Sequence, residues 1–148
     1  MSRTTARAAA MQMIFERVSG GQGGEETLKM VYEELREYGV PGEKTIGKKE
    51  PDQDDRQYIT DAFNGVLSHL DELDQLIGET AKGWPTERMS LVDLTVLRLA
   101  VWEILYNPDI PANVSVSEAL ELTERYSDPE DKPFVNGILG TIVRAQSK

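Results

Sequence analysis

The sequence predicts an all-α protein of about seven helices. Three observations predict it. Apolar residues recur at i, i+3, i+4 spacing through every long non-turn stretch. The β-branched runs carry that same helical period, and no stretch alternates as a half-buried strand would. Gly, Pro, Ser and Asp clusters fall between the periodic stretches, where helices start and stop. With 148 residues, 39% of them hydrophobic, the chain is long enough to bury a core as one domain spanning 1–148.

The elements follow in order. "SRTTARAAAMQMIFERV" (2–18) reads as a helix capped by Ser2, with Arg7, Met11, Ile14, Phe15 and Val18 on adjoining faces. "SGGQGG" (19–24) stops it, and a second helix is expected over 25–38 with Leu28, Val31, Tyr32 and Leu35 inward. "GVPGEKTIGKKEPD" (39–52) is a polar connection. A long helix is expected over 52–81, with aspartates in its first turn where the helix dipole favours anions and a stripe through Ile59, Ala62, Phe63, Val66, Leu70, Leu73 and Ile77. "KGWPTERMS" (82–90) is a turn or a short helical piece. "LVDLTVLRLAVWEILYN" (91–107) is apolar on nearly every side, as the central helix of a bundle is. Ser115 and Glu118 have capping-box spacing and open the next helix. "SDPEDKP" (127–133) turns the chain into the last one, with Pro133 in its first turn.

"PFVNGILG" (133–140) carries two signals at once. Asn-Gly between apolar runs favours a hairpin, whereas Val135, Ile138, Leu139, Ile142 and Val143 share one helix face. An isolated hairpin in an all-helical chain would be unstable, so the helix is expected. A mid-helix glycine costs up to ~1 kcal/mol against alanine. "FNGVLSHL" (63–70) repeats the pattern 72 residues earlier. The reading preferred for both is that the glycine lets another helix approach and the asparagine satisfies a backbone group. A duplicated half-domain is the alternative.

Net charge is −10, from 16 basic and 26 acidic residues, so bulk attraction to nucleic acid is not expected. The charge is uneven. Residues 1–24 hold Arg3, Arg7 and Arg17 against Glu16, a net of +2, which leaves 13 basic against 25 acidic side chains for the rest, a net of −12. There is no cysteine, hence no disulfide, thiolate zinc site, iron–sulfur cluster or thiol nucleophile. His69 is the only histidine, too few for a histidine metal site or dyad. "SGGQGG" lacks the Gly-Lys-Ser/Thr ending of a phosphate loop, and "DQDD" and "DPED" lack calcium-loop spacing. No catalytic residue, metal or cofactor is expected, and the protein is expected to bind rather than catalyse. No apolar run reaches the ~20 residues of a membrane span; a soluble, cytoplasmic protein without membrane contact is expected.

Arg3 and Arg7 stand one helical turn apart beside the free amine. A helix start presenting two arginines can grip phosphates, although two solvated arginines are the commoner meaning of such a pair. Lys44, Lys48 and Lys49 could extend the patch. Phe15 and Phe134 are candidates for base stacking, with burial the default for phenylalanine.

The residues resemble the NusB family of transcription antitermination factors. Arg3, Ala6-Arg7 and Gln12 match its first helix, and residues 94–139 match its Leu-Arg-x-Ala…Glu-Leu, Ile-Pro, Glu-Ala-x-Glu-Leu and Phe-Val-Asn-Gly-x-Leu elements in order. The resemblance implies two stacked three-helix subbundles. It implies binding to the boxA element of ribosomal RNA transcripts, with the ribosomal protein NusE as partner, in the antitermination complex that helps RNA polymerase pass terminators. It places Arg3, Arg7, Phe15, Glu130 and Phe134 at the RNA, and Glu87 and Asp93 at the NusE face. Thr4 and Thr5 stand where better-known members carry further arginines, which implies stronger dependence on the partner. Some members form homodimers that bury these arginines. Arg7→Ala is expected to weaken RNA binding and leave the melting temperature nearly unchanged, and a large drop would support a structural role for Arg7. Two other readings fit the sequence. One is a helical protein-interaction module with weak or lost RNA binding. The other is the similar RNA-binding module at the front of some ribosomal RNA cytosine methyltransferases, a reading that is expected to require a C-terminal methyltransferase domain with a Gly-rich cofactor loop, which residues 1–148 do not contain.

Overall fold

The computed structural model describes residues 2–21, 24, 26–27, 29–30, 33 and 52–146. Six α-helices are complete among them: α1 Arg3–Val18, α2 Gln53–Ser68, α3 Leu70–Ala81, α4 Leu91–Tyr106, α5 Ala112–Tyr126 and α6 Lys132–Gln146. Of the helix expected over 25–38, Glu26, Thr27, Lys29, Met30 and Glu33 are helical; its remaining residues, and Lys44, Lys48 and Lys49, lie outside the described residues. Among the described residues there is no strand. The chain divides into two compact units, 1–64 and 65–148, with the division falling inside α2.

In the first unit, α1 starts where Ser2 caps it, its hydroxyl oxygen accepting from the Thr5 amide at 3.1 Å. Burial is unbroken from Thr5 to Met11, which four alanines make possible by presenting little bulk on any side. α2 opens with a reciprocal cap. The Asp55 amide donates to the Asp52 carboxylate at 2.9 Å, and the Asp52 amide donates back to that of Asp55 at 3.0 Å. That contact holds the Asp52 carboxyl below its usual range.

The expected 52–81 helix is two helices. The break is at His69, whose amide reaches both the Gly65 carbonyl at 3.2 Å and the Val66 carbonyl at 3.3 Å. Its ring Nδ1 lies 2.8 Å from the Gly65 oxygen. Backbone and ring thus close the end of α2 while the His69 carbonyl accepts from Leu73 to begin α3. α3 ends at Lys82 and Gly83, both at positive φ (38° and 81°).

The second unit is built around α4, which packs against α3, α5 and α6. It is buried continuously from Asp93 to Glu103, as an all-round apolar pattern requires. The capping box expected at Ser115 is not formed. α5 begins a turn earlier, at Ala112 after Pro111, and Ser115 lies buried inside the helix, donating to the Glu103 carboxylate at 2.8 Å. A buried carboxylate needs donors more than an exposed helix start needs a cap. The two Asn-Gly pairs also part company. Gly65 meets its expectation, because a Cβ there would stand 2.0 Å from Trp102 Nε1. Gly137 does not. It is exposed, a Cβ there would meet nothing within 4 Å, and Asn136 is exposed beside it. Nothing in the structure explains Gly137 by packing.

Candidate functional site

The arginines of α1 have different surroundings although they are one turn apart. Arg3 is exposed and Arg7 is 3% exposed. The helix enters its unbroken buried run at Thr5, so a side chain two residues further on cannot reach solvent as Arg3 does. Both guanidinium groups converge on one ring of α2. Arg3 lies over Tyr58 with its guanidinium carbon 4.6 Å from the ring centroid, and Arg7 stands 5.8 Å away, both within cation–π range. Arg7 is therefore part of the packed interior of the first unit, a setting in which its loss is expected to cost stability. Phe15, further along α1, is half-buried.

The acidic turn before α6 is held from α4. Asp93 lies in the first turn of α4, its amide donating to the capping Ser90 hydroxyl at 3.1 Å. Its carboxylate accepts from the Ser127 hydroxyl at 2.6 Å. Asp131, at the end of the 3₁₀ turn Pro129–Asp131, shares a hydrogen bond with Asp93. That bond, partial burial and the repulsion of the second carboxylate push the Asp131 carboxyl up to about 6. The hydrogen bond between the two carboxyl groups ties the turn to the start of the central helix. The turn also carries Glu130, exposed, and leads to Phe134, half-buried at the start of α6. Lys132 donates to Glu124 at 2.9 Å and holds the Glu124 carboxyl below its usual range.

On the other side of Asp93 in sequence, Pro85–Ser90 forms a 3₁₀ turn over Thr86–Arg88. Glu87 is exposed on it, and the apolar side chains of Trp84 and Leu91 are exposed on either side. Arg98 is turned inward, its Nε and Nη2 gripping the Asp74 carboxylate at 2.7 and 2.8 Å. His69 stacks on Tyr106 at a centroid distance of 4.3 Å. The Tyr106 hydroxyl donates to Glu72, a bond that holds the proton and raises the hydroxyl's pKa above the usual tyrosine value. Among the described residues no group of His, Asp and Glu is arranged to hold a metal, and no helix is long and apolar enough to cross a membrane.

The model of the NusB family matches residues 4–144, nearly the whole chain. The chain belongs to the NusB family. It is similar to the transcription antitermination protein NusB of Acetivibrio thermocellus, 34% identical over 99% of this chain and 91% of that one. Among solved structures it is similar to T. maritima NusB, 29% identical with a TM-score of 0.76, covering 97% of this chain and 92% of that one. Its fold is also that of a structure of antitermination factors NusB and NusE in complex with dsRNA, 24% identical with a TM-score of 0.74, over 97% and 96% of the two chains.

Within this NusB-family chain, the residues singled out from sequence fall into distinct settings. Arg3, Glu87 and Glu130 are exposed, Phe15 and Phe134 are half-buried, and Arg7 and Asp93 are buried. The Asp93 carboxylate is engaged by Ser127 and Asp131 inside the second unit. Sequence reasoning missed Tyr58 and Trp84. Tyr58 sits next to Ile59 in the apolar stripe and reads as core; only the pairing of α1 with α2 reveals its arginine partners. Trp84 had a signal, a large aromatic inside a Pro-containing turn, where burial is hard to achieve.

Proposed function

We propose that this chain is a transcription antitermination factor that binds the boxA element of ribosomal RNA transcripts together with NusE, and that it is not an enzyme. The observation that carries this is the match to the NusB family over residues 4–144, supported by the name that its curated relative bears, transcription antitermination protein. In this reading Arg3 contacts phosphate, Arg7 supports the helix start from beneath, and Phe15 and Phe134 offer partly open rings for base stacking. Glu130 borders Phe134 on the turn. Glu87, flanked by exposed Trp84 and Leu91, meets NusE, and Asp93 holds the turn from within. Exposed aromatic and aliphatic side chains around an acidic residue suit a protein partner better than a polyanion. The protein acts in the cytoplasm, with the nascent transcript and RNA polymerase.

The burial of Arg7 leaves Arg3 as the exposed arginine of the pair, so RNA affinity of the chain alone is low and NusE dependence high. Titration of labelled boxA RNA and a scrambled control, with and without NusE, between about 50 and 200 mM salt tests the proposal. The expected result is a preference for boxA that strengthens with NusE. No preference under any of these conditions would refute RNA recognition and leave a protein-interaction module.

A further inference from the structure

We propose that Tyr58 is the positioning residue of the N-terminal arginines, its ring fixing the Arg3 guanidinium so that a phosphate meets an oriented fork. This rests on the reading of Arg3 as an RNA contact. Tyr58 is itself 5% exposed, so it cannot serve as a stacking platform for a base and acts only through the cation above it. The geometry suits that role. The Arg3 guanidinium carbon lies over the ring, 4.6 Å from its centroid, and a guanidinium stacked on an aromatic ring uses only its own face for the contact. The N–H donors lie in the guanidinium plane and stay available at its edge, where phosphate oxygens are accepted in pairs. An unstacked arginine would have to lose its rotamer freedom at the moment of binding; a stacked one has lost much of it beforehand.

The same ring also addresses an electrostatic problem. Two guanidinium cations one turn apart repel each other, and Arg7 is buried, where screening is weak. The negative face of Tyr58 attracts both, at 4.6 and 5.8 Å. Asp55, 5% exposed and one turn before Tyr58 on the same face of α2, adds a carboxylate to that region. With Thr4 and Thr5 between the arginines, the exposed positive charge of this helix start is concentrated in Arg3, and its orientation carries correspondingly more of the binding.

The test is a double-mutant cycle on the full chain with NusE and labelled boxA RNA at low salt, with a thermal melt of every variant. R3A is expected to weaken RNA binding several-fold, and Y58L by about two- to fivefold, the worth of an exposed cation–π contact. The combined R3A/Y58L variant should bind no more weakly than R3A alone, and Y58F, which keeps the ring, should bind like the wild type. Losses that multiply in the combined variant overturn the role of Tyr58 while leaving Arg3 as an RNA contact. An R3A variant that binds RNA normally overturns the reading of Arg3, and with it this one. Should Y58L not fold, R3K keeps the charge and stacks less well. It is expected to bind about twofold or more weakly with an unchanged salt slope, and wild-type affinity for R3K overturns the proposal.

Discussion

The two Asn-Gly glycines share a sequence pattern and should respond in opposite directions to the same substitution. In Gly65→Ala the new Cβ would stand 2.0, 2.5 and 2.9 Å from Nε1, Cε2 and Cδ1 of Trp102, where ordinary carbon contacts need about 3.5 Å or more. Relief requires the indole or the α2 backbone to move by about 1.5 Å. Trp102 is a rigid side chain only 6% exposed, so it cannot swing into solvent. Overpacking of this kind costs about 1–3 kcal/mol, and the three short contacts put Gly65→Ala at the upper end. The helix-propensity gain of about 1 kcal/mol offsets part of it, leaving a loss of about 2 kcal/mol. In Gly137→Ala the methyl group meets nothing within 4 Å, so only the propensity gain of about 0.5–1 kcal/mol remains. At ~2–4 °C per kcal/mol for a chain of this size, Gly65→Ala should lower the melting temperature by about 4–8 °C and Gly137→Ala should raise it by about 1–4 °C. Tryptophan fluorescence follows both, since Trp84 and Trp102 lie in the same unit as the two glycines. A Gly65→Ala variant as stable as the wild type would refute the close-approach argument. A Gly137→Ala variant that loses stability would show that Gly137 is held by something other than open solvent.

Three further outcomes are expected. Arg7→Ala should lower stability by about 1–3 kcal/mol, through lost packing and a lost buried charge contact, whereas R3A, which loses only an exposed cation–π contact of about 0.5–1 kcal/mol, should lower the melting temperature less and reduce the salt slope of RNA binding by about one unit; equal melting temperatures for the two variants would contradict the burial of Arg7. Ser115→Ala removes a donor from the Glu103 carboxylate, which is 1% exposed, and should cost about 1–2 kcal/mol in a urea melt; a neutral result would mean that the carboxylate does not depend on this bond. Asp131, raised to about 6 in the folded protein from the usual 3.8, takes up a proton on folding between those values. Its contribution is complete below about pH 4 and is lost as pH rises through 6, so the stability of the wild type relative to D131N should fall from pH 4 to 7 in paired thermal melts, and a constant difference would rule out the shared proton.

How much of the site was legible from sequence follows from the range of the interactions involved. Arg3, the flanking charge imbalance and the family motifs are local and could be read directly. The burial of Arg7 could not, because i, i+4 spacing puts two arginines on one face without saying how deep that face runs. Asp93 read as a surface acid near the start of a helix, yet Ser127 and Asp131, more than 30 residues later in the chain, enclose its carboxylate. The break at His69 escaped the periodicity because the apolar stripe continues through it; ring and backbone contacts to Gly65 and Val66 decide it.

The sequence by itself determined the helical class, the cap at Ser2, the acidic first turn that begins at Asp52, the central place of residues 91–107 and membership of the NusB family. Each is a matter of residue type at short spacing, and backbone hydrogen bonding and apolar periodicity act at that range. Only the tertiary structure decided which arginine faces solvent, which Asn-Gly glycine is needed for packing, and why Ser115 serves a buried glutamate instead of a helix start. Those depend on what lies across from a side chain, and a single helix's spacing carries no information about its neighbour.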